Sequence, residues 1–262
     1  MSQWLFGPDS MMWRVNRESV LLIGGRAALL MQLAHPLVAA GVSDHSDYRA
    51  DPIGRLRGTL DTMLDITFGE REVAAAAMRR VNSVHDRVKG LSSDGVPYSA
   101  RDPQLAKWVF STLVYSSVAV YEACVEPLTD HEKDVHYEET KVVGRMFGIP
   151  SELLPGTRDG LQEWMRTMVD SGEVSVTPLA RDLAAPVLNP LPLVPTSLVA
   201  RADPVTAALL PRRIREGYGL KLGRSRSALL AVGRRASRRL LPLVPGQLRL
   251  LPAARNAEAR AS

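Results

Sequence analysis

Between Asp102 and Ala123 the apolar residues Leu105, Trp108, Val109, Leu113, Val114, Ala119 and Val120 recur at intervals of three and four. That spacing places them along one side of a long α-helix. Asp102–Pro103 opens it well, because a carboxylate accepts first-turn amides and a proline there gives up no needed N–H. A helix this long and this apolar must be wrapped by other elements. No stretch rich in Val, Ile, Thr or Tyr alternates with period two for long, so those elements are helices too. At 262 residues the chain is large enough for one substantial core. The expectation is an all-α fold, a single multi-helix globular domain.

The remaining helices follow from the same spacing and from their stop signals. Residues 9–34 read as one helical segment entered at Asp9 or Ser10, with Gly24–Gly25 letting another backbone come close. The run ALLMQLAHPLVAAG is apolar apart from Gln32 and His35. Pro36 disfavours α conformation at His35, so the helix should stop or kink there. Pro52–Phe68 and Glu70–Lys89 form two consecutive helices joined at Phe68–Gly69, the second ended by Gly90 as a C′ glycine. Thr129–Phe147, Leu161–Val169, Val174–Val187, Pro204–Gly217 and Arg224–Leu241 complete the set. The proline-rich residues 188–204 read as an extended connector. The final PLVPGQLRLLPAARNAEARAS reads as a tail, part packed and part disordered.

Charge divides the chain. Residues 212–262 hold thirteen Arg and Lys against Glu216 and Glu258, a balance of +11, which leaves −6 for residues 1–211 of a chain whose net charge is +5. The domain expectation is an all-helical body over residues 1–220, with a basic C-terminal helix and tail over residues 221–262. A solvated arginine-rich helix wrapping the body is the plainer reading of that segment. Contact with an anionic membrane is the other, and nucleic acid is not an expected partner. The single Cys124 rules out an internal disulfide and cysteine-built metal clusters. With no secretory leader and no apolar run of about 20 residues, the expected location is cytoplasmic.

No phosphate loop, dinucleotide fingerprint or nucleophile elbow is present. Glu132, His136 and Glu139 share a helix face, which reads as a solvated surface because charge runs usually are. His85 lies on an apolar helix face among Val81, Val84 and Val88. Such a histidine is usually a core residue bonded to a carbonyl, and less often a ligand. Arg55 and Thr59, one turn apart, read equally as a surface arginine and a threonine bonded to its own helix.

Several ordered segments nevertheless resemble a known family. These are RAALLMQLAHPLVAAGVSDHSDYRADPIGRLRGTL, then FG, then VNSVHDRVKG, then YSARDPQLAKWV. Together they resemble bacterial members of the family of MpaB-type oxygenases and latex clearing protein, the rubber oxygenase. The resemblance implies haem b in a pocket of the helical domain, with His85 as axial iron ligand. It implies Arg55 as partner of a haem propionate or of dioxygen, and Thr59 as a donor in the same pocket. His35 would be a distal base or a second axial ligand. The Arg-x-x-Lys-Thr motif of rubber oxygenase falls on Arg55, Gly58 and Thr59, so its lysine is missing here. The implied activity is a haem-dependent oxygenase using O2 on an apolar or aromatic small molecule, with an electron donor as a further partner. A haem protein without turnover is the alternative.

Overall fold

The computed structural model describes residues 3–45, 52–188 and 204–261; for residues 52–57, 224 and 226 only the backbone is described. Among these residues the chain is all-α, with one two-stranded ribbon. The central helix is α6 (Pro103–Cys124), capped by the Asp102 carboxylate, which accepts from the amides of Gln104 and Leu105. Before it come α1 (Met11–Asn16), α2 (Leu22–Leu33), α3 (Pro36–His45), α4 (Pro52–Phe68) and α5 (Arg71–His85). After it come α7 (Asp130–Met146), α8 (Arg158–Asp170) and α9 (Pro178–Leu188). The C-terminal part adds α10 (Pro204–Leu209), α11 (Arg212–Gly217), α12 (Arg224–Leu240), α13 (Gly246–Arg249) and α14 (Pro252–Ala261).

Helix α2 packs directly along α6. At Gly24 a Cβ would stand 3.0 Å from Val120 Cγ2 and 3.3 Å from the Ser116 carbonyl oxygen, so any larger residue would make α6 give way by a few tenths of an ångström. Trp108, fully buried on α6, donates its indole N–H to the Met31 carbonyl at 3.0 Å. The chain then turns through 103° between α2 and α3, at the corner where Pro36 demands it.

Four expectations are corrected. Residues 9–34 are not one helix, because Glu18 leaves α geometry, pairs its backbone with Leu250, and buries its carboxylate at 1% exposure. Arg249 meets that carboxylate with Nε at 2.8 Å and Nη2 at 2.7 Å. Gly90 is not a helix terminator. The helix stops at His85, and Gly90 lies in β1 (Lys89–Leu91), paired with Tyr98 of the antiparallel β2 (Pro97–Ser99), where a Cβ would collide with the tyrosine ring. The tail is not partly disordered, since α14 packs on α4, with Ala254 and Ala257 fully buried beside Trp4, Trp13 and Phe68. The expected single helix over 204–217 is also split at Pro211. The proline-rich connector and the polar loop before α4 lie outside the described residues.

The Glu18–Arg249 pair therefore fastens the C-terminal segment to the break between α1 and α2. Among the described residues, removing Arg249 leaves the buried Glu18 carboxylate only the longer contact with Arg17 Nε at 3.9 Å. The Arg249→Met variant is expected to lose about 3 kcal/mol of stability, and Glu18→Leu in the same chain to restore most of it. Urea denaturation of both variants would show this as a lowered and then recovered midpoint. Equal midpoints for wild type and Arg249→Met would contradict it.

Candidate functional site

Helices α1, α2, α3, α4, α6 and α7, with Leu251 from the C-terminal segment, line a cavity of about 480 Å³. That lies within the roughly 300–1,000 Å³ typical of small-molecule sites. Its walls are largely apolar, from residues such as Leu29, Leu33, Met63, Leu64, Phe110 and Val143. A few polar groups stand among them, and most are already engaged. Gln32 donates to the Thr112 hydroxyl at 3.1 Å, Thr140 to the Tyr137 carbonyl at 2.7 Å, and Ser117 to the Val114 carbonyl at 3.0 Å.

Two are not engaged. The Ser116 hydroxyl on α6 and both ring nitrogens of His136 on α7 are buried without a hydrogen-bond partner among the described residues. His136 is 1% exposed. Burial disfavours its charged form and pushes its pKa down to about 4, so the ring is neutral at physiological pH. A buried polar group of this kind costs stability unless something pairs with it. His136 also borders a second, smaller cavity of about 100 Å³, together with Glu122, Lys133 and Arg158.

The inward aim of His136 has a structural cause. Glu139, one turn further along α7, accepts from the amides of Met11 at 3.3 Å and Met12 at 2.6 Å, capping α1. Glu132, one turn earlier, binds Arg14 of α1 and closes a capping box with Thr129. Those bonds, first the Thr129 amide and then Arg14, hold the Glu132 pKa down to about 2. The face expected to be a solvated surface is therefore an interface. His136, Thr140, Val143 and Phe147, spaced four, three and four apart, all line the cavity. That uncharged stripe between charged flanks is the signal that could have found it.

The residues singled out from the sequence are only partly gathered here. Thr59 lines the cavity and is also solvent-exposed, which places a mouth of the cavity beside α4. Arg55 stands on the first turn of α4, and its side chain lies outside the described residues. His85 ends α5, half-buried, its ring stacked on Phe147 at a centroid distance of 6.4 Å. Phe147 itself lines the cavity, so His85 stands one ring behind the wall. His35 is buried at the α2–α3 corner, where its Nδ1 accepts from the Leu37 amide at 3.3 Å. It is not among the residues lining the cavity. Burial takes its pKa down to about 4, against an opposing pull from Asp102. Among the described residues no three His, Cys, Asp or Glu side chains are gathered to hold a bare metal ion.

Residues 13–240 match the family model described as ER-bound oxygenase mpaB/B'/Rubber oxygenase, catalytic domain. The chain belongs to this family. Similar proteins include the uncharacterised protein Mb2261 of Mycobacterium bovis and the uncharacterised protein Rv2237 of Mycobacterium tuberculosis. Each is 29% identical over 173 residues, which cover 64% of this chain and 68% of the relative. No solved structure matches. Membership makes the chain an oxygenase-type catalytic domain, with O2 and a substrate as its partners. No single described helix is long and apolar enough to cross a membrane.

A histidine whose pKa falls on folding binds fewer protons folded than unfolded. Stability is thus full above its ordinary value near 6.5 and drains away as pH drops toward 4. For ligand-free protein, His35 and His136 are each expected to contribute a loss of up to about 3 kcal/mol across that window. Urea denaturation at a series of pH values checks this, and His136→Leu should show a visibly shallower decline. A decline of unchanged depth in that variant would mean that the ring is not held neutral in the fold.

Proposed function

We propose that this chain is a haem b-dependent oxygenase acting on an apolar or aromatic small molecule held in the cavity between α2, α4, α6 and α7. The observation that carries the reading is the neutral, unpartnered imidazole of His136 on an otherwise apolar wall. A neutral ring nitrogen is what haem iron takes as an axial ligand. The group fits these residues: apolar walls suit its macrocycle, the Ser116 hydroxyl and Thr59 supply polar points, and His136 supplies the nitrogen.

One imidazole would hold the iron in this reading, so that O2 can still bind. His85 is the one the family motif indicates and His136 the one the cavity presents, and they stand too far apart along α7 to share one iron. Arg55 would hold a propionate, as a guanidinium does with a carboxylate. The half-buried position of His85 behind Phe147 requires that ring to shift for His85 to reach the cavity. When bound, the haem supplies the redox chemistry of oxygen activation. The protein does the rest. Leu29, Leu33, Met63 and Phe110 hold an apolar substrate and keep water out. The Thr59 hydroxyl donates to a polar atom entering at the mouth. His136, neutral because it is buried, presents a lone pair and no charge.

Protein produced with adequate haem should show a Soret band. Loss of most of the haem in His85→Ala, with His136→Ala keeping it, would give the iron to His85, and the reverse would give it to His136. An unchanged His136→Ala spectrum would remove His136 from the iron, and a full haem complement in His85→Ala would remove His85. Absence of any Soret band in the wild-type protein would sink the haem reading altogether. O2 uptake by the reduced protein with an apolar substrate then separates an oxygenase from a haem carrier.

A further inference from the structure

Helix α12 presents two different faces. Its inner face is fastened to the end of α6: Ser237 donates to the Cys124 carbonyl at 2.9 Å, and Arg238 Nε donates to the Glu122 carbonyl at 2.9 Å. Its outer face carries Leu229, Val232, Ala236 and Leu240, spaced three, four and four apart, so they form one stripe along the helix. The stripe is open to solvent, with Leu229 66% exposed, Val232 61% and Leu240 59%, and Leu243 continues it just beyond the helix at 77%. Arg235 and Arg239, both exposed, run along one side of it. From Gly217 to Ala257 the sequence contains no Asp or Glu at all.

Single exposed leucines need no explanation, but an aligned stripe flanked by arginines does. Burying it against a like-charged surface meets a charge problem. A second copy docked through the same face would bring Arg235 and Arg239 against their counterparts with no acid to offset them. Nucleic acid would use the arginines and leave the leucines in water. A bilayer surface rich in anionic lipid satisfies both features: the leucines enter the acyl boundary while the guanidinium groups meet phosphates. We infer that the outer face of α12 is a peripheral docking surface for anionic membranes. No residue of α12 lines the cavity, and the inference stands independently of the haem reading.

The test is co-sedimentation of the full chain with vesicles of phosphatidylcholine, with and without phosphatidylglycerol. Binding is expected only to the anionic vesicles and should weaken as salt is raised. Two double variants separate the contributions: Leu229→Ser with Leu240→Ser, and Arg235→Gln with Arg239→Gln. Each is expected to lower partitioning by about tenfold or more. All four positions are exposed, so both variants should keep the wild-type circular dichroism and urea midpoint. The inference is overturned by no binding to anionic vesicles, by equal binding to neutral ones, or by folded double variants that bind like the wild type. It is equally overturned if sedimentation velocity shows a dimer that the leucine variant abolishes, since the face would then belong to a second copy.

Discussion

Everything around the cavity depends on the carboxylate of Glu139 reaching the first amides of α1. A six-residue helix has too few internal hydrogen bonds to stand alone, so α1 exists because its N-terminus is satisfied from outside, by Glu139 and by the Ser10 hydroxyl. The same contact, with Arg14 on Glu132, fixes the rotation of α7 about its axis. Once positions 132 and 139 are turned inward, position 136 has no route to solvent. The exposed-looking helix of the sequence becomes the wall that carries the site's most distinctive group.

Local patterns read correctly wherever the deciding partner is local. The cap at Asp102, the corner at Pro36 and the span of α4 are all settled within a few residues of sequence. What local pattern misses is decided at long range. Glu132 and Glu139 find partners more than a hundred residues away, in α1, and the break at Glu18 exists for an arginine 231 positions later. Charges read one helix at a time look solvated, and here they are ties between helices. Ser116 is one of four Ser and Thr hydroxyls on α6, and nothing in the sequence sets it apart from Ser111, Thr112 and Ser117, which bond back to carbonyls of their own helix. The family motif supplied Thr59, which does line the cavity, and His85, which the fold holds one ring away from it.

The arrangement also explains why the C-terminal segment matters to the cavity. Leu251 is a wall residue, and it is positioned by its amide bonding to the Arg17 carbonyl at 2.8 Å and by Arg249 on Glu18. The break in the first helical segment, the buried ion pair and the packed α14 are thus one device. It closes the side of the cavity that the helical bundle leaves open. Beyond that clasp the basic charge collects on α12, away from the apolar walls.

The direct measurement is nitrogen-15 NMR of the histidine ring nitrogens as ferric haem is added to the protein. His136 is expected to give neutral-imidazole signals beforehand and to lose them at one equivalent, as the paramagnetic iron would then stand close to its ring, while the exposed His131 is unaffected. A stoichiometric haem complex in which the His136 signals persist unshifted would contradict the assignment of this cavity as the haem site.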